Sequence, residues 1–98
     1  MQRITKKMLE LSLMRLNAIT NSPSEPYTKN ENGEYIANIG NFHLSGAYGG
    51  YCVHRMCNKS GGISTPFISY HTTKRDLYDR LNAYINGIVF ASKSINEL

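Results

Sequence analysis

The sequence has no tryptophan, only two cysteines and only three prolines among 98 residues. It also lacks any apolar run approaching the roughly 18 to 20 residues that a membrane-crossing helix needs. The N-terminal stretch MQRITKKMLELSLMRLNAIT breaks up its apolar residues with Lys, Arg, Glu and Asn. An export signal needs an unbroken apolar centre there, so neither membrane insertion nor export is expected and a cytoplasmic setting is. Between Tyr27 and Tyr70 there is no aspartate, and the acids are Glu31 and Glu34. Paired carboxylates for general acid and base work are therefore missing from that region.

What is present fits one small domain over residues 1–98, with residues 1–4 and 92–98 expected to fray. A chain of this length buries only about 60 to 65% of the surface its unfolded form exposes, which leaves little room for a large substrate cavity. Eleven Lys and Arg against seven Asp and Glu give a formal charge of +4. That is a mild excess, below the strongly basic balance of dedicated nucleic-acid modules.

A first helix is predicted over about Thr5 to Thr20. Thr5 serves as its N-cap, and Leu9, Leu13 and Leu16 form its apolar stripe. Ile4, Met8, Leu11 and Ile19 widen this into an arc of about half the circumference, with Asn17 on the solvent side. So wide an arc calls for a sheet or a partner, and a homodimer through it is one expectation. Pro23 and Pro26 end the helix. From Tyr27 to Tyr70 the pattern is extended and punctuated by turns at Asn32-Gly33, Gly46 to Gly50 and Gly61-Gly62. Asn32-Gly33 predicts a turn with positive φ at both central residues. Pro66 places the last strand at an edge. A second helix is predicted from Thr73 to about Ala91, opened by a capping box of Thr73 with Asp76. Leu77, Leu81, Tyr84, Ile85 and Ile88 form its buried stripe, and Asp76 pairs with Arg80. The fold class is α+β: a helix, a three- or four-stranded antiparallel sheet and a helix, with both helices on one face.

Three groups of residues could carry chemistry. Lys74 and Arg75 open the second helix just after His71, where cations oppose the helix dipole but, with the free amides, attract a phosphate. In GAYGGYCVHR, Tyr48 is a stacking surface, Arg55 a second anion contact, and the glycines let a ligand approach the backbone. His43, His54 and His71 are the side chains that titrate near neutrality. With no nucleophile or paired carboxylates beside them, catalysis is not expected; His43 and His71 are assigned as polar supports. Cys52 and Cys57 lie about 17 Å apart along one extended strand and on opposite faces. That separation excludes a disulfide between them, and their spacing with His54 lacks the tight pair that a zinc knuckle uses. Buried thiols are the expectation, with no metal and no cofactor.

Several strings resemble a family of small uncharacterised bacteriophage proteins: NSPSEPYT, then ANIGNFHLSGAYGGYCVHRMCNKSGG, then KRDLYDRLNAYINGI. The shared positions are Pro26 and Tyr27, Asn41 to His43, Ala47 to Gly50, Gly61 and Gly62, and Lys74 to Tyr78. Lys59 stands where the family pattern has an acid, so any role of that acid does not transfer. The resemblance implies a phage protein working in the host cytoplasm, in a class whose members modify, bind or block host machinery, defence systems included. It supplies no catalytic residue. The element order is also similar to that of double-stranded RNA-binding domains, whose second helix likewise begins with phosphate-contacting basic residues.

These readings converge on a non-enzymatic binding protein for a phosphate-bearing ligand, nucleic acid or nucleotide, with His43, Tyr48, Arg55, His71, Lys74 and Arg75 as its contacts. The competing expectation is a protein inhibitor that docks on a host enzyme without a small ligand.

Overall fold

The computed structural model describes residues 3–96. The order is α1 (Lys6–Ile19), β1 (Tyr27–Lys29), β2 (Tyr35–Ala37), β3 (Phe42–Ala47), β4 (Gly50–Met56), β5 (Ile63–Ser64) and α2 (Lys74–Asn96). This is the predicted α+β class, with the antiparallel strands divided between two sheets. β1 and β2 form a separate two-stranded ribbon, and β3-β4-β5 form the main sheet. The ribbon is tied to the loop between β4 and β5 by the Ala37 amide, which donates to the Lys59 carbonyl at 3.2 Å.

α1 begins where Thr5 accepts a hydrogen bond from the Met8 amide. Leu9, Leu13 and Leu16 are buried as the stripe predicts. The arc is narrower than expected, since Leu11 and Ile19 are exposed, while Ile4 at the chain's start is 5% exposed and packs into the core. Asn17, expected in solvent, is buried. Its Oδ1 accepts from the Phe42 amide at 2.8 Å and its Nδ2 donates to the Phe42 carbonyl at 3.0 Å. A buried amide is tolerable only with such partners.

In the β1–β2 hairpin positive φ occurs at Gly33 alone, not at both central residues. The Asn30 amide donates to the Glu34 carbonyl and the Gly33 amide to the Asn30 carbonyl, closing a three-residue loop that ends on a left-handed glycine. Asn30 Oδ1 holds the loop by accepting from the amides of Asn32 and Glu34. β3 and β4 are joined by a two-residue turn of Tyr48 and Gly49, both at positive φ (53° and 73°), with Ala47 paired to Gly50. β5 is a two-residue edge strand that ends before Pro66. The chain then packs Phe67 and Ile68 against the core and rejoins β4 at a bridge between Tyr51 and Thr72. Gly50 is required there, because a β-carbon would lie 2.7 Å from the Thr72 carbonyl oxygen.

Only the first half of the predicted capping box forms as drawn. Thr73 Oγ1 accepts from the Asp76 amide at 3.2 Å, while the Asp76 carboxylate takes the Thr72 hydroxyl and Arg80. α2 continues to Asn96 instead of stopping near Ala91; the outermost residues 1, 2, 97 and 98 lie outside the described residues. Leu77, Leu81 and Ile85 are fully buried, and Tyr84 and Ile88 pack beside them. Both helices share one hydrophobic cluster with Phe42 and Val53 of the sheet.

Candidate functional site

Directly paired residues of an antiparallel hairpin share a face, and neighbours along a strand alternate. The register pairs Phe42 with Arg55, Leu44 with Val53 and Gly46 with Tyr51, which puts these six on the helix-covered face. His43 pairs with His54, Ser45 with Cys52 and Ala47 with Gly50, so these side chains project from the opposite face. The Tyr51–Thr72 bridge brings His71 alongside that face as a third contributor.

A row of rings results. His43 and His54 meet edge to face with centroids 5.8 Å apart, His54 and His71 at 6.2 Å, and His71 and Tyr48 at 5.7 Å. Two of its rings, His43 and His71, are positioned by polar contacts. His43 Nδ1 lies 3.3 Å from Asn41 Oδ1, and Ser45 Oγ lies 3.1 Å from His71 Nε2. Cys52, the strand partner of Ser45, is 1% exposed. Cys52 also donates to the Ile68 carbonyl at 3.3 Å, and burial pushes its thiol pKa up. Cys57, expected to be buried, is exposed.

Burial lowers the pKa of His43 and His54, and the charge of the next imidazole adds to the effect: His54 acts on His43, and His71 on His54. At neutral pH these two rings therefore favour the neutral form, suited to stacking. Tyr48, at the hairpin tip, is 97% exposed. Among the described residues no group of three or more His, Cys, Asp or Glu is placed to hold a metal ion.

Of the six residues assigned from sequence, the structure brings His43, Tyr48 and His71 together. Lys74 and Arg75 follow His71 by three and four residues at the start of α2, where Lys74 is half-buried and Arg75 exposed. Asp76 beside them is held below the ordinary carboxylate pKa, chiefly by the Thr72 hydroxyl and then by Arg80. Arg55 is not with the rings. It lies on the helix-covered face, its guanidinium 4.6 Å from the Phe42 ring centre and its Nε donating to the Gly40 carbonyl at 3.1 Å. Two contributors were missing from that assignment, His54 in the middle of the row and Ser45 holding His71.

Comparison with protein-family models, curated proteins and solved structures gives no match. The likeness to phage proteins thus rests on its motifs alone.

Proposed function

We propose that the chain is a non-enzymatic binding protein whose half-exposed sheet face, turned away from the helices, takes a base-bearing, phosphate-bearing ligand, either single-stranded nucleic acid or a nucleotide. The observation that carries this reading is the row of His43, His54, His71 and Tyr48 on the face turned away from both helices. Ring faces and edges at a sheet surface are what unstacked bases pack against, and such stacking is worth about 1 to 3 kcal/mol per base. Lys74 and Arg75, a few residues beyond His71, add two cations at the positive end of a helix dipole for the phosphate. In this reading Arg55 serves packing and does not touch the ligand. The phage setting and action on host machinery belong to the same proposal.

The test is fluorescence anisotropy with a labelled oligothymidylate of about 12 nucleotides at about 50 and 200 mM salt. Binding is expected to weaken steeply across that range, as phosphate contacts require. Tyr48→Ala should weaken it at least about tenfold. Lys74→Glu with Arg75→Glu should abolish it, and Arg55→Gln, if folded, should leave it intact. Binding unchanged by Tyr48→Ala and by the double substitution would remove the site.

A further inference from the structure

β3 is an outer strand of the main sheet, and it is long, uncharged and free of proline. Proteins usually blunt such an edge with charge, proline or a bulge, because its unpaired backbone groups invite another strand. In this hairpin the two-residue turn makes Ala47 and Gly50 a hydrogen-bonded pair, and Ser45 with Cys52 and His43 with His54 follow in alternation. Phe42, Leu44 and Gly46 therefore point their amides and carbonyls away from β4. Asn17 satisfies both groups of Phe42, which confirms the phase of the ladder. For Leu44 and Gly46, no partner for these groups occurs among the described residues.

The same edge is flanked by two hollows. One, of about 450 Å³, lies between α1 and β3; Leu13, Met14 and Leu44 give it an apolar lining, and Lys6, Glu10 and Glu25 charge its rim. The other, of about 290 Å³, lies at Gly46 and the hairpin tip. Leu44 and Gly46 are two residues apart on one face, so a strand laid along the edge would direct alternate side chains toward the two hollows. We propose that the free edge of β3 is a strand-addition site for an extended peptide with alternating apolar side chains and basic ends.

The backbone of such a peptide completes the hydrogen bonds of Leu44 and Gly46, and its apolar side chains cover Leu13, Met14 and Leu44. Two carboxylates against one ammonium leave the rim of the larger hollow net negative, which favours a basic peptide over an acidic one. A second copy of this chain fits less well, since it brings the same acids to the same groove. This site is separate from the ring row, and the two can be tested apart.

The experiment is amide NMR on the whole chain titrated with a capped heptapeptide of alternating threonine and valine carrying lysine at each end. Shifts centred on the Leu44 and Gly46 amides, with their hydrogen exchange slowed at least tenfold, are expected. The same peptide with glutamate ends should bind at least tenfold more weakly, as should one N-methylated on the edge-facing amides. Met14→Lys should weaken peptide binding at least tenfold and leave oligothymidylate binding unchanged; Tyr48→Ala should do the reverse. Met14 is 64% exposed, so its replacement leaves the fold intact. The proposal is overturned if the lysine-ended peptide leaves both amides unaffected at about 1 mM, or if N-methylation makes no difference. It is equally overturned if the free protein is a dimer in which those amides are already protected.

Discussion

Asn17 closes the outer edge of β3 at one residue, accepting the Phe42 amide proton at 2.8 Å and donating to the Phe42 carbonyl at 3.0 Å. The pair holds α1 to the sheet edge with the hydrogen bonds a neighbouring strand would make. Asn17→Ala leaves a buried donor and a buried acceptor without partners, at about 1 to 3 kcal/mol each. A loss of about 3 kcal/mol in urea unfolding is expected, a large part of the stability of a domain this small. Asn17→Asp keeps the acceptor but loses the donor and buries a charge, so it should do no better. A loss under about 0.5 kcal/mol for Asn17→Ala would mean water replaces the side chain without cost.

In α2, Gly87 sits mid-helix, and a β-carbon placed on it meets nothing within 4 Å. Gly87→Ala should therefore stabilise the protein by about 1 kcal/mol, the difference in helix propensity. In a domain of this size that is about 4 to 8 °C in Tm. A fall in Tm would show that the position needs glycine for a contact made outside the free chain.

Much of the fold is legible in the sequence because local chemistry dictates it. Thr5 and Thr73 cap the helices they precede, and the leucine stripes of α1 and α2 face the core. Asn17 was not legible, because its partners are backbone groups 25 residues away. The ring row was hidden by register. Glycine preference in GAYGG favours a turn at Gly49-Gly50, which would set His43 opposite Met56. The actual turn at Tyr48-Gly49 sets it opposite His54. A slip of this kind changes which side chains meet, so no pattern of residue types could assemble His43, His54 and His71 beforehand.

Burial, followed by the neighbouring imidazole's charge, lowers the pKa of His43 and His54, which ties stability to pH. The unfolded chain takes up these protons at higher pH than the folded one. The stabilisation is thus complete above the ordinary imidazole value of 6.5 and is lost as pH falls from there through the lower folded values. The urea midpoint should drop between about pH 7.5 and 5, and His43→Gln with His54→Gln should flatten that slope. Oligothymidylate affinity should move the opposite way, because protonated rings add charge opposite a phosphate. Parallel movement of stability and affinity would count against the phosphate-binding face.

Tyr48 is the position where stability and function should part. A bulky residue at φ 53° costs about 1 to 2 kcal/mol relative to a residue at ease there. With its ring 97% exposed, it recovers nothing from the core. Asn-Gly is the pair best suited to a two-residue turn with both φ values positive. Tyr48→Asn should therefore raise stability by about 1 kcal/mol in urea unfolding and keep the His43–His54 register. In the same protein, loss of the terminal ring should weaken oligothymidylate binding at least about tenfold. A variant that is more stable and binds equally well would show that the strained tyrosine serves neither role. One that is less stable would show that the edge contact of this ring with His71 outweighs the backbone strain.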